Sequence, residues 1–190
     1  MLKVITVPNK ILSSSTRPVE KIDEKIKKLL NDMEKILVSQ KDPKGVGLAA
    51  NQVGINLSLF IVKPSEKAKI KVFINPKILK VVSGLRSPYR QTSNDTGRVT
   101  KKRKRRPVKL EGCLSIPRIW GPVKRAKKIY LEYQDALGKS YKRWFSGFEA
   151  TIIQHEIDHL NGIVFTNRSM EQSQPLYKEV GDELVKVDLS

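Results

Sequence analysis

The stretch "GFEATIIQHEIDHLNG", residues 147–162, holds both histidines of the chain, His155 and His159. Four residues apart on a helix, their rings share one side a turn apart, while Ile153, Ile157 and Leu160 turn toward other faces. Ser146 and Glu149 have the Ser-x-x-Glu spacing of a capping box, and Gly162 follows the last periodic residue. Together they predict a helix from about Gly147 to Asn161. One cation can take both imidazoles, and Glu156 lies beside them, where a carboxylate can accept a proton from an attacking water. A single helical histidine more often packs than ligates, and His-Glu-x-x-His also arises by chance. When the only two histidines of a chain share this register inside a delimited helix, the metal reading is favoured.

Two imidazoles make an incomplete site. The longer pattern His-x-x-Gly-x-x-His would need a histidine at 165, where Phe165 stands although Gly162 fits. The third ligand therefore comes from Cys113 or from a distant carboxylate such as Glu171, Glu179 or Glu183. Cys113 sits in "EGCLSIP" (111–117), which reads as a short glycine-containing loop able to present a thiolate. A thiolate with two imidazoles leaves one coordination position open for water. Against this, a free cysteine taken alone is most often simply buried.

Composition bounds the rest. A length of 190 residues with 39% hydrophobic content supports one good core, so a single domain over 1–190 is expected. No run approaches the ~20 apolar residues of a membrane span, and "MLKVITVPNK" has neither a signal-peptide core nor transit-peptide character. No membrane association and a cytoplasmic location are expected. One cysteine cannot form an internal disulfide, which excludes a stapled secreted domain. Half of the net charge of +18 falls in residues 84–109, "GLRSPYRQTSNDTGRVTKKRKRRPVK", with ten Lys/Arg and one Asp. Few apolar residues and a "KKRKRR" block mark this segment as an exposed insert outside the core.

Elsewhere, Ile22, Ile26, Leu29, Leu30, Met33, Ile36 and Leu37 recur at spacings of three and four, predicting one amphipathic helix. "LSLFIVK" and "KVFINPKIL" read as strands, the second stopped by Asn-Pro, and "KKIYLEYQD" and "KSYKRWF" flank Ala136-Leu137-Gly138 as a hairpin. The tail "YKEVGDELVKVDL" carries only weak signals.

In this order, "GVGLAANQVG" (45–54), "EGCLSIP" (111–117) and "QHEIDHLNG" (154–162) resemble the three signature motifs of the peptide deformylases. The likeness extends to "RPVEKIDEKIKKLLNDM" and "INPKI", covering nearly the whole chain except the insert and the last residues. It implies an α+β fold, a compact domain of antiparallel strands packed around a central metal-binding helix. It also implies Cys113 as the third ligand beside His155 and His159. The metal would be Fe(II), with Zn, Ni or Co as substitutes, and the reaction hydrolysis of the N-terminal formyl-methionine amide of new polypeptides to release formate. By the same resemblance Glu156 is the proton carrier, and Gln52 and the backbone of Leu114 face the oxyanion. Gly47 leaves room for the formyl group, Gly45 to Gly47 pair with the substrate backbone, and Val46, Phe148, Thr151 and Ile152 form the methionine pocket.

Departures from the usual pattern are Asn51 within the first motif, Leu110 before Glu111, Ser13, and Trp120 with its neighbours. The insert 84–109 is the largest, since this connection is commonly much shorter. Glu111 has a candidate partner in Arg125. The insert's charge fits contact with ribosomal RNA as well as it fits a solvated loop. Competing readings are an RNA- or ribosome-associated binding protein on a lapsed deformylase fold, and a different metallopeptidase. The intact set Gln52, Cys113, His155, Glu156 and His159 speaks against the first, and the missing third histidine against the second.

Overall fold

A computed structural model of the chain describes residues 2–41, 44–83 and 109–188. Residues 84–108, nearly all of the basic insert, lie outside the described residues. Among the described residues the strands form two antiparallel sheets. The first, in the order β1-β2-β3-β6-β7, comprises β1 (Gly47–Ala49), β2 (Leu59–Val62), β3 (Lys71–Val82), β6 (Lys128–Gln134) and β7 (Ser140–Ser146). The second joins β4 (Leu110–Cys113), β5 (Ile116–Pro122), β8 (Tyr177–Val180) and β9 (Glu183–Lys186). Helices α1 (Glu24–Ser39), α2 (Gly147–Leu160) and α3 (Phe165–Glu171) complete the fold, which is α+β as the sequence implies.

Alternation places Phe73, Ile129, Leu131, Tyr133 and Phe145 on the inner face of the first sheet, where they meet Ala150, Ile152, Ile153 and Leu160 of α2. A second cluster fills the space under α1: Ile26, Leu30, Met33 and Leu37 pack with Leu48, Leu59 and Ile61. The Asp23 side chain caps α1 by accepting from the Lys25 and Ile26 backbone N–H groups. Helix α2 packs against β1, β2, β6 and β7, so one helix carries the His-Glu-x-x-His residues through the core.

Three expectations are corrected. Ser146 is the N-cap residue of α2 but makes no side-chain capping bond, and Glu149 instead accepts from Lys71 Nζ at 2.6 Å, so the capping box does not form. The chain does not stop at Asn75-Pro76. Strand β3 continues to Val82 through a register shift against β6, with Asn75 at φ +50°. Its side chain makes the irregularity tolerable: Asn75 Oδ1 accepts from Val19 N–H, and Nδ2 donates to Val19 O, both at 2.8 Å. "EGCLSIP" is the turn of the β4–β5 hairpin rather than a loop, and the weak-signal tail forms the β8–β9 hairpin.

The C-terminal end of α2 is closed by the beginning of the chain. Thr16 donates to Leu160 O from both its backbone N–H (2.8 Å) and its hydroxyl (3.0 Å), satisfying a terminal helix carbonyl. Gly162, at φ +70°, ends the helix where a Cβ would come within 2.7 Å of the Ser13 and Ser14 backbone.

Candidate active site

Three elements converge at the buried face of α2. The β4–β5 hairpin brings Cys113, the helix brings His155, Glu156 and His159, and the turn after β1 brings Gln52. The ligand atoms of Cys113, His155 and His159 all lie within 4.8 Å of one another, and Cys113 Sγ is 3.1 Å from His159 Nε2. Among the described residues this is the one cluster of metal-binding side chains so arranged. The alternatives Glu171, Glu179 and Glu183 are elsewhere: Glu171 accepts from Arg168, Glu179 accepts from Trp120 Nε1, and Glu183 is exposed.

The electrostatics suit a cation. Burial would raise the Cys113 thiol, but the facing His159 and His155 outweigh it and hold the thiol well below its usual value. Burial would lower His155, but Cys113 and Glu111 push it well up. His155 Nδ1 lies 3.1 Å from Glu111 Oε2, which fixes the ring and leaves Nε2 as the nitrogen available to a cation. Glu156 is 3% exposed, and burial pushes its carboxyl up to about 7 despite the two neighbouring histidines. Glu156 Oε2 and His159 Nδ1 are buried with no hydrogen-bond partner among the described residues. A thiolate sulfur and two imidazole nitrogens converging in a buried site fit a divalent metal.

Gln52 is held with its amide aimed at this cluster. Its Oε1 accepts from Ala49 N–H at 2.9 Å, and its Nε2 donates to Ser115 Oγ at 3.1 Å and to Cys113 Sγ at 3.4 Å. Gly47 is bare because there is no room: a Cβ there would come 2.8 Å from both Glu156 Cδ and Ile152 Cγ2. A cavity of ≈ 450 Å³ opens beside the cluster. Gly45, Val46, Phe148, Thr151 and Ile152 all line it, as does Leu114. The structure thus brings together the residues that the family resemblance singled out, and leaves the three alternative carboxylates outside.

The scaffold behind the ligands was only half legible. The pairing of Glu111 with Arg125 forms as expected, through bonds of 2.9 Å from Nε and Nη2. Burial would raise Glu111, but Arg125 and His155 hold it down at about 2. Missed were Asp158, which accepts from Arg125 and also from Arg168 Nη2 at 2.8 Å, and Asn51, whose Nδ2 donates to His159 O. Asp158 is 6% exposed, and an acid three residues after His155 on the buried side of α2 is the signal that called for a cation.

Likeness to known proteins follows the same residues. A family model described as polypeptide deformylase matches residues 1–175. The peptide deformylase of Borreliella burgdorferi is 38% identical over 165 residues, covering 86% of this chain and 85% of that protein. That of Dictyoglomus turgidum is 36% identical over 173 residues, covering 91% and 95%. Among solved structures, a peptide deformylase from Legionella pneumophila matches with TM-score 0.70 at 31% identity, over 88% of this chain and 85% of that one. An actinonin-bound class I type b enzyme from Acinetobacter baumannii matches with TM-score 0.70 at 30% identity, over 88% and 97%. Since the match runs through all three motifs and through the strands and helix that carry them, the chain belongs to the peptide deformylase family.

Proposed function

We propose that this chain is a metal-dependent amide hydrolase that removes the formyl group from the N-terminal formyl-methionine of newly made polypeptides. The observation that carries this reading is the convergence of Cys113, His155 and His159 with buried Glu156 beside a largely apolar cavity. A divalent cation held by these three residues supplies positive charge that lowers the cost of forming hydroxide and of the oxyanion. Fe(II) is the metal the family resemblance implies, and the sulfur and nitrogen donors also accept Zn, Ni or Co.

The residues of the chain then do the following. Glu156 takes a proton from the attacking water and delivers it to the departing amine nitrogen, so water and formamide yield formate and a free N-terminus. Gln52 Nε2 and the backbone N–H of Leu114 are donors for the oxygen that gains charge. Gly47 leaves space at the reacting carbon. Among the described residues β1 has a strand neighbour on one side only, so Gly45 to Gly47 can pair with an extended substrate backbone. Val46, Phe148, Thr151 and Ile152 receive the methionine side chain. Glu111 orients His155.

The chain reads as one catalytic domain working in the cytoplasm, and no described helix is long and apolar enough to cross a membrane. The charge of 84–109 supports contact with ribosomal RNA; unchanged co-sedimentation with ribosomes after its deletion would remove that reading. Nothing in the described site supports a lapsed enzyme.

The decisive experiment is formate release from a formyl-Met-peptide by anaerobically purified, iron-loaded protein beside its Glu156→Ala variant. We expect turnover to fall by about 10²- to 10⁴-fold in the variant. Equal rates would refute the role of Glu156, and no turnover by either protein with metal bound would refute the deformylase reading.

A further inference from the structure

The cavity beside Cys113, His155 and Glu156 has an uneven distribution of charge. Lys44, Lys109 and Lys124 line it, and all three are exposed. Among the described residues the acids in its lining are Glu111 and Glu156, and neither faces the mouth: Glu111 is bound to Arg125, and Glu156 is buried on α2. Lys44 pairs with the exposed Glu66, whereas among the described residues Lys109 and Lys124 stand in no ion pair. Lys109 Nζ lies 5.9 Å from the centroid of the Phe148 ring, over one wall. Trp120, another lining residue, is fixed by its Nε1–H donating to Glu179 Oε2 at 2.8 Å and lies against Gly112, where a Cβ would come 2.7 Å from the indole ring.

A substrate whose formyl carbon is at the cluster and whose methionine fills the apolar cavity has to leave through this mouth. Extended backbone advances about 3.3 Å per residue, so the second to fourth residues lie roughly 3–10 Å beyond the methionine. On the same scale Lys44 is about 10 Å along the chain from Gly47, and Lys109 about 13 Å from Cys113. The side chains of those substrate residues, several ångströms long themselves, therefore enter the field of the lysines. Among the described residues the lining offers no carboxylate there to receive a basic side chain.

We propose that Lys109 and Lys124, together with Lys44, make this enzyme selective for nascent chains carrying Asp or Glu within the three residues after methionine. The inference rests on the deformylase reading above and adds a substrate class to it. Lys109 and Lys124 act as specificity residues, touching the substrate away from the reacting atoms, so their contribution is expressed in KM more than in kcat. An exposed ion pair changes an equilibrium by about 1.4- to 5-fold, so two give about 2- to 25-fold.

The test uses the full metal-loaded chain and three peptides, formyl-Met-Glu-Glu-amide, formyl-Met-Gln-Gln-amide and formyl-Met-Lys-Lys-amide, the amide removing the terminal carboxylate. We expect kcat/KM to follow the order Glu, Gln, Lys at low ionic strength, with the Glu peptide at least about fivefold above the Lys peptide, and the spread to collapse in ~0.5 M salt. In a Lys109→Glu/Lys124→Glu double variant, with each rate taken relative to that variant's own Gln-peptide rate, the order is expected to reverse. Formate release without charge order, or an order that the double variant leaves unchanged, would overturn the proposal alone; the second outcome would assign the preference to the general field of the basic insert. No formate from any of the three peptides would overturn the deformylase reading and this inference with it.

Discussion

At the residue scale the site is defined as much by missing atoms as by present ones. Gly47 is the clearest case, because an added methyl group would press on the Glu156 carboxyl carbon and on Ile152 at 2.8 Å. The neighbours are a packed helix and a buried carboxylate, so the strain would move Glu156 rather than the strand. We expect Gly47→Ala to fold normally by circular dichroism and to lose about 10²-fold in formate release, the cost of displacing a catalytic group by about 1 Å. Retained turnover would show that Glu156 need not sit where it is. Arg125 is the opposite case, a side chain 9% exposed whose loss takes the guanidinium from buried Glu111 and leaves Asp158 with Arg168 as its remaining cation. Removing one partner of such a pair costs about 3–5 kcal/mol, so Arg125→Ala should lower the urea midpoint markedly. A midpoint unchanged from the parent would mean that the network contributes orientation only.

At the element scale, legibility in the sequence followed the period of each segment. Helix α2 was readable because its glycine stop and 3.6-residue spacing survive without knowledge of partners, although the bond expected from Ser146 is replaced by the Lys71–Glu149 contact, which links residues far apart in sequence. Strand β3 was cut short because Asn75-Pro76 is ordinarily punctuation, and only the distant Val19 backbone makes the irregular residue acceptable. The β4–β5 hairpin was hidden for a similar reason, since Gly112 and Ser115 mimic a loop and its register shift falls beside Cys113. The β6–β7 hairpin was legible to its turn. There Asp135 accepts from the Leu137 and Lys139 N–H groups and from the Tyr141 hydroxyl. Burial would raise this carboxyl, but the hydrogen bonds together outweigh it and hold it below its usual value of 3.8. A depressed carboxyl contributes stability above its unfolded value and loses it as pH falls through the folded one. The melting-temperature gap between the parent and Asp135→Asn should therefore be full at neutral pH and shrink as the pH drops below 3.8; a gap independent of pH would assign it to something other than ionisation.

At the scale of the whole molecule, the chain surrounds one buried cluster with elements drawn from distant parts of the sequence. With Cys113, His155 and His159 as the proposed ligands, the closure of these elements couples metal binding to folding, because a cation that binds only the folded form stabilises it by about 2.7 kcal/mol at a hundredfold excess over Kd. Chelator treatment of metal-loaded protein should lower its melting temperature, and Cys113→Ser should lower it in advance and abolish the chelator effect. A chelator effect retained in Cys113→Ser would place the stabilising metal elsewhere. The strap from Thr16 to Leu160 has a consequence in time. Ribosomes make a protein from its first residue onward, so the cysteine is in place long before the histidines, and the Thr16 donors wait for a helix end that arrives some 140 residues later. With the metal site proposed above, capture is then a late event in the protein's own synthesis: a chain interrupted anywhere before His159 lacks one of the three residues, and only chains made past that point count toward the cell's stock of working enzyme.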